Sequence, residues 1–486
     1  MKRFYILSII FLSLLVILGC EKDMTIVQPQ MNNEGGISAS SVNPELIAKE
    51  LSDLNGWQRE GVTEDHHSKE SLTKTTGHLF LNFEKEHITG QIFHYKFQVR
   101  TGPGPYDIIG IHRVVKERWY SFPIYTKKTF FFQHGDAKDF EGMVLPGLGN
   151  ANTPDGFGLA VFLAERNIDV WGIDQAWTLV PEGTADLSFM KDWGLQRQVD
   201  DLNIGIEIAR YARLFSGSGF NKMILCGYSS GVVTGYALLN AETQLPPAER
   251  QVKGYIPVDL GIKIVDPYLQ QFFADFYFTV KDAINSGIYH EDVPFRPIGM
   301  LARNDPDGAS PIFDGFTNLQ TALFFGAGQV FGPDAWFHYL AGTLEEGMPV
   351  DLNLVTLDQW LDFLESAPVY EPYLFEAEYA AVFSDAADLP FDDYLSQIDV
   401  PILNVAAAGG IGELSKYGTG LLGSTDVEHL IVSIGAPSLA EEFGHIDLFI
   451  ARNAPELVWN PIKRWIKKHS KLFNNEDFDS VVFDVE

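Results

Sequence analysis

Cysteine is nearly absent: the 486 residues contain two, Cys20 and Cys226. A framework of several disulfides is thereby excluded, and stability has to come from a packed apolar core. Basic charge is also scarce, with 35 Lys and Arg against 65 Asp and Glu and a formal net charge of -30. Such a chain repels polyphosphate, so nucleic acid is excluded as an expected partner. The basic run Lys463, Arg464, Lys467, Lys468 falls in the last turns of an expected terminal helix. Cations suit that end of a helix, and the run reads as a solvated face. No internal repeat of solenoid or propeller period is present. What the chain does have is apolar matter, 46% of its residues, with 13% aromatic. That is ample for a large core and excludes a disordered class. The length suits one elaborated domain, since an α/β sheet with an insertion reaches this size as a single folding unit.

Lys2 and Arg3 precede an apolar run from Phe4 to Leu18 that stops at Gly19-Cys20. The run is shorter than the roughly 20 apolar residues of a spanning helix and has the layout of a signal peptide over 1–19. Ile17-Leu18-Gly19-Cys20 resembles the bacterial lipobox, in which the cysteine is lipidated and becomes the new N-terminus. Glu21-Lys22-Asp23 resembles the surface-export signal of Bacteroidetes lipoproteins. Together they imply an extracytoplasmic protein lipid-anchored at Cys20 to a bacterial outer membrane. A lipidated Cys20 leaves Cys226 without an intramolecular partner. Cys226 ends the apolar run Met223-Ile224-Leu225 and reads as a buried, inert thiol. Residues 20–45 are polar and aperiodic, a tether between lipid and domain. His66-His67, beside Glu64 and Asp65, lack a second ligand cluster and read as a solvated loop rather than a metal site. Residues 471–486 form an acidic tail.

From residue 78 onward the pattern becomes regular. His78 to Phe83, Gln91 to Arg100 and Asp107 to Val115 have strand character and are punctuated by turn residues such as Gly102-Pro103-Gly104-Pro105. They suit the antiparallel lead-in of a mixed sheet. Thr129 to Gln133 is an apolar strand, Phe157 to Arg166 a helix, and Asp169 to Ile173 another strand, the βαβ rhythm of a parallel sheet. A helix follows from about Leu195 to Leu214, with Val199, Leu202, Ile206 and Ala209 at helical spacing. Lys222 to Cys226, Ser230 to Asn240 and Gly254 to Val258 continue as strand, helix and strand. The rhythm breaks after Asp259 and resumes at Val400 to Ala406 and Leu430 to Ile434, ending in a helix over Pro455 to Lys468. The core therefore reads as residues 78–260 and 391–470, interrupted by an insertion over 261–390. The insertion is loaded with aromatics: Phe272-Phe273, Phe276-Tyr277-Phe278, Phe324-Phe325, Trp336-Phe337, Tyr373 and Phe375. These either line an apolar pocket or form the insertion's own core.

Gly227-Tyr228-Ser229-Ser230-Gly231 matches G-x-S-x-G directly between an apolar strand and an apolar helix. That context is the one a nucleophile needs: a tight turn lifts the serine hydroxyl at the sheet's C-terminal edge, with free helix N–H groups beside it. His445, in Glu442-Phe443-Gly444-His445-Ile446-Asp447, lies after the last strand and before the last helix. A serine first and a histidine last is a hydrolase chain order. Gln133-His134-Gly135-Asp136 follows the strand at Thr129 and offers the Asp136 N–H as one oxyanion donor, with the Ser230 N–H as the other. Asp305 and Asp307 in Asn304-Asp305-Pro306-Asp307-Gly308 lack the remaining ligands of a calcium loop and read as a turn.

His134-Gly135, Val170-Trp171-Gly172-Ile173-Asp174, the Gly227 to Gly231 turn and Gly444-His445-Ile446-Asp447 together resemble the α/β-hydrolase superfamily. Their order and spacing are most similar to acid-lipase-like esterases, over about residues 78 to 470 without the insertion. The resemblance implies an α/β-hydrolase fold, a mostly parallel sheet flanked by helices with a large inserted lid. It also implies a carboxylic-ester hydrolase working through acyl transfer on Ser229 with His445 as base, needing no metal or organic cofactor. Small-molecule or lipid esters are the expected substrates, and the membrane is reached through the N-terminal lipid. Acyltransfer or peptide cleavage on the same residues, and a non-catalytic lipid-binding module, are the other readings. The family places its acid after the strand at Val400, where Gly409-Gly410-Ile411-Gly412-Glu413 stands in place of Gly-Gly-x-Asp. Glu413 is the expected acid, its longer side chain and the flexible glycines absorbing the one-residue offset. Asp259, after Gly254 to Val258, is the alternative, and Asp426 a third.

Overall fold

The computed structural model describes residues 47, 49–51, 70–73, 79–119, 122–148, 150, 152–331 and 337–470. The expected signal peptide, Cys20, the tether, His66-His67, Trp336 and the acidic tail lie outside the described residues. Among those described, no helix is long and apolar enough to cross a membrane.

One large sheet dominates. Strands β1 (Glu70–Thr73), β2 (Phe80–Thr89), β3 (Ile92–Arg100) and β4 (Ile108–Trp119) run antiparallel in chain order, with the short β5 (Phe122–Pro123) paired to β4. Strands β6 (Thr129–Gln133), β7 (Asp169–Asp174), β8 (Met223–Tyr228) and β9 (Val252–Val258) follow. Their order in the sheet is β4-β7-β6-β8-β9, with β7 antiparallel to β4 and every later pair parallel. Connecting helices are α1 (Leu159–Glu165), α2 (Leu195–Phe215) and α3 (Ser230–Glu242).

The parallel strands are fully buried, as strands covered on both faces must be. Alternation sends Phe130 and Phe132 of β6 into one core and Phe131 into the other. Ile224 and Cys226 of β8 likewise face away from Met223 and Leu225. Cys226 is wholly buried, and burial pushes its thiol well up, away from reactivity. α2 turns Val199, Leu202, Ile206 and Ala209 onto the second core, the stripe its spacing predicts.

Between β9 and the next sheet strand the chain leaves the sheet. This excursion contains α4 (Pro267–Asn285), β10 (His290–Asp292), α5 (Phe295–Asn304), α6 (Asn318–Ala327), the ribbon β11 (Gly342–Glu345) with β12 (Met348–Leu352), α7 (Leu357–Glu365), β13 (Tyr370–Pro372) and α8 (Tyr373–Ser384). Asp266 caps α4, and Thr317 and Thr356 form capping boxes on α6 and α7. β10 and β13 pair antiparallel and bring Glu291 opposite Glu371. Asp305 to Gly308 is a turn after α5. The chain then returns to the sheet with β14 (Ile402–Ala407), parallel to β9, and β15 (Val427–Val432) at the edge. The last helix, α9 (Asn460–His469), buries Ile462, Trp465, Ile466 and His469 and points Arg464, Lys467 and Lys468 outward. The carboxyl ends of β6, β8, β9 and β14 lie side by side, and the loops leaving them build the site.

Candidate active site

Ser229 joins the end of β8 to the start of α3 with φ at 54° and ψ at -131°. A side chain in that region costs about 1–3 kcal/mol and persists only where its surroundings enforce it. Here the enforcement is visible. The Ser229 N–H donates to the Val258 carbonyl at the end of β9, 3.1 Å away. Added Cβ atoms on Gly227 and Gly231 would collide with the Gly231 and His134 carbonyls, and one on Gly135 would collide with Ser229 itself. Small residues at those three positions let the β6 loop press against the turn, the close approach the G-x-S-x-G spacing requires.

The loop after β6 is fixed by His134. Its Nε2 accepts the Gln175 N–H at 3.0 Å and its Nδ1 lies 2.8 Å from the Gly135 carbonyl, so the ring carries its proton on Nδ1. Burial holds this imidazole below its ordinary pKa and keeps it neutral. Asp136 follows, its carboxylate accepting the hydroxyl hydrogen of Ser230. That bond ties the β6 loop to the start of α3. Ser230 is the first residue of α3, so its N–H has no acceptor within the helix. Both expected oxyanion donors therefore belong to segments packed against Ser229.

His445 stands in the loop after β15. Its backbone N–H donates to the His338 carbonyl at 3.0 Å, while Asp447 accepts the N–H groups of Gly444 (2.8 Å) and Ala341 (2.7 Å). The imidazole is stacked on the Tyr228 ring, centroids 4.6 Å apart, with Phe337 at 5.1 Å on tilted planes. Ser229 and His445 line one cavity, and no hydrogen bond within 3.5 Å joins their side chains. Such bonds are commonly long in free enzymes and tighten with substrate.

The carboxylate that meets His445 is Asp259. Its Oδ2 lies 2.7 Å from His445 Nδ1, and its Oδ1 accepts the N–H groups of Ala407 (2.8 Å) and Ile411 (3.2 Å). Asp259 is fully buried, at φ 53°, with its own N–H on the Val405 carbonyl at 2.7 Å. Glu413, the expected acid, does not reach the histidine. A 3-10 turn over Gly412–Leu414 rotates it outward, where its carboxylate pairs with Lys416 and its side chain is 72% exposed. The glycines read as slack for Glu413 serve Asp259 instead, because a side chain on Gly410 would collide with the Asp259 carboxylate. Asp426 pairs with His469 and Lys468 at the sheet edge, away from the cavity.

The insertion supplies most of the cavity wall. Phe272, Phe273, Phe276 and Phe337 line it, whereas Phe278 is exposed and Phe375 packs in the core, so the aromatic run divides between pocket, core and surface. Three glutamates of the insertion, Glu291, Glu371 and Glu376, also line the cavity and were not anticipated. Their signal in the sequence is slight: acids set among aromatics in Tyr370-Glu371-Pro372-Tyr373-Leu374-Phe375-Glu376. Among the described residues, metal-ligand spacing occurs at His94, His112 and Glu141 and at Asp426, Glu428 and His469. Neither set lines the cavity. His94 Nε2 instead bonds His112 Nδ1 at 2.9 Å, and His112 Nε2 bonds Asp174 at 2.8 Å.

A histidine that loses its carboxylate partner adopts the wrong tautomer, at a cost of roughly ten-thousand-fold in turnover. Asp259→Asn is therefore expected to lose about that much ester turnover, and Glu413→Gln less than threefold, in proteins whose unfolding midpoints match the parent. Steady-state kinetics on a chromogenic ester decides between them. A large loss in Glu413→Gln with a near-normal Asp259→Asn would reverse the assignment.

No family model matches the sequence, and no curated relative matches it. Solved structures do. A Sulfolobus solfataricus protein described as a candidate lipase superposes with a TM-score of 0.53 at 19% identity, over 78% of this chain and 95% of that one. A soluble variant of monoglyceride lipase from Saccharomyces cerevisiae gives 0.44 at 12% identity, over 74% and 92%. A thermophilic esterase from Thermogutta terrifontis gives 0.37 at 14%, over 77% and 99%. With the parallel order β7-β6-β8-β9-β14-β15 and helices on both faces, the chain has the α/β-hydrolase fold.

Proposed function

We propose that this chain is a serine hydrolase of carboxylic esters, with Ser229 as nucleophile, His445 as general base and acid, and Asp259 as the carboxylate that orients it. The observation that carries the reading is the 2.7 Å bond from a buried carboxylate to His445 Nδ1, which directs Nε2 to the cavity that Ser229 lines. In the first step Nε2 takes the Ser229 proton as Oγ attacks the ester carbonyl, and the Asp136 and Ser230 N–H groups receive the developing oxyanion. His445 then gives its proton to the leaving alcohol. Water, activated by the same imidazole, attacks the acyl-serine and releases the acid. Asp259 holds the tautomer and stabilises the imidazolium.

A purely lipid-binding module has no use for this arrangement. Holding Ser229 and Asp259 at positive φ costs about 1–3 kcal/mol each, and a passive pocket gains nothing from either. The apolar wall suits an acyl or aryl group, the substrate class of a lipase-like esterase. The reading includes delivery to the outer membrane through lipid on Cys20, which the lipobox-like sequence supports. A Cys20→Ala protein is expected in the soluble extracytoplasmic fraction with its esterase activity intact. Retention in washed membranes would remove the anchor from the account.

A fluorophosphonate is expected to modify Ser229, as shown by peptide mapping. Ser229→Ala and His445→Ala should each lose on the order of ten-thousand-fold or more in kcat, and the double variant should be little worse, because residues that act as a unit are not additive. Labelling elsewhere, or losses that multiply, would contradict the mechanism.

A further inference from the structure

The cavity beside Ser229 is apolar except for one feature the hydrolytic mechanism does not use. Asp136 from the β6 loop, Glu291 from β10, Glu371 from β13 and Glu376 from α8 all face it. The pairing of β10 with β13 sets Glu291 directly opposite Glu371, so the two carboxyls project from the same face of the ribbon. Like charges so placed are unfavourable unless something neutral or cationic separates them.

Glu371 and Glu376 are 3% and 2% exposed. Glu371 Oε2 accepts the Ala137 N–H at 3.3 Å, but no N–H or alcohol donor reaches Glu371 Oε1 or either oxygen of Glu376. Buried carboxyls met only by one another must share protons to avoid repulsion, so the partner the protein does not supply is a cationic donor. The polar groups that face them are other carboxyls, Glu291 beside Glu376 and Asp136 beside Glu371. Lys138 lines the same cavity but is committed elsewhere, to the Phe363 carbonyl and to Ser366 Oγ at 2.7 Å. Among the described residues, no Lys or Arg forms an ion pair with any of the four acids. Burial pushes Glu291 up to about 7, and burial plus the neighbouring acids push Glu371 and Glu376 well above the usual range, so protons are held among the three glutamates.

A metal ion does not fit these acids. Their oxygens do not converge in threes within 4.8 Å, a spacing reached among the described residues only at the two clusters outside the cavity. An organic cation does fit. A primary ammonium has three N–H donors to replace the protons these carboxyls share, and the phenyl rings of Phe272, Phe276 and Phe337 line the same apolar pocket and attract a cation.

We propose that the cavity selects esters that carry a primary ammonium group, received by Glu371 and Glu376 while the ester carbonyl meets Ser229. The proposal rests on the hydrolase reading for its chemistry and on the insertion for its specificity. Free amine in solution and the amine of an aminoacyl ester share this chemistry, and the experiment separates them.

The binding arm uses the Ser229→Ala protein, which needs no catalysis. Calorimetry at pH 7.5 is expected to show benzylammonium binding at least tenfold more tightly than benzyl alcohol, with Glu376→Gln and Glu371→Gln each lowering that preference at least tenfold. The turnover arm compares methyl leucinate with methyl 4-methylpentanoate, and methyl 6-aminohexanoate with methyl hexanoate, in the full chain. At least one ammonium ester is expected to exceed its neutral partner in kcat/KM by a hundredfold, a ratio that Glu376→Gln reduces at least tenfold. Equal binding of amine and alcohol, displacement of benzylammonium by calcium at micromolar concentration, or preference for both neutral esters would overturn the proposal. Amine binding with no turnover of any ester and no fluorophosphonate label would instead overturn the hydrolase reading and leave the ammonium site standing.

Discussion

The bond between Asp259 and His445 is the constraint around which the rest of the site is arranged. It needs a buried carboxylate whose second oxygen is satisfied, which the N–H groups of Ala407 and Ile411 provide. It needs Asp259 bent back at φ 53°, which the hydrogen bond from its N–H to Val405 enforces. Room for the carboxylate comes from the missing side chain of Gly410. Each condition is met by β14, the neighbour of β9, or by the loop leaving it, so the order of two strands decides which acid the histidine receives. Burial then gives the pair its strength, since a charge-assisted bond in a low-dielectric site is worth far more than one in water.

The insertion changes what this centre can act on. An α/β sheet ends in a row of loops that is open to solvent, and here aromatic residues from α4 and the segment after α6 close over it. Excluding water strengthens the oxyanion donors and the histidine-carboxylate pair. The same exclusion raises the energy of ionised carboxyls, and burial accordingly pushes Glu291, Glu371 and Glu376 toward their protonated forms. A cationic substrate would exchange those protons for its own N–H groups. On the proposed reading, catalysis and specificity draw on one property of the cavity, its low polarity, in opposite ways.

Much of this was legible in the sequence. The parallel strands stand at or within a few residues of their expected places because unbroken apolar runs such as Thr129 to Gln133 have no other use than a sheet covered on both faces. Ser229 and His445 were legible because the strand-turn-helix context and the chain order are local facts. The acid was not. Glu413 and Asp259 both follow a strand, and linear spacing cannot report that a turn at Gly412 swings one outward while Gly410 clears space for the other. The glutamates of the cavity were hidden for the same reason: Glu291 is far in the chain from Glu371 and Glu376 and meets them only through the pairing of β10 with β13 and the start of α8.

The most direct measurement is a crystal structure of the protein inactivated with an alkyl fluorophosphonate, whose tetrahedral phosphorus mimics the first intermediate. The account predicts phosphorus bonded to Ser229 Oγ and a phosphonyl oxygen at about 2.7–3.1 Å from the Asp136 and Ser230 nitrogens. His445 should keep Nδ1 on Asp259 and turn Nε2 toward the ester oxygen. A phosphonyl oxygen directed away from both N–H groups, or a histidine that leaves Asp259 for another carboxylate, would contradict the account at its centre.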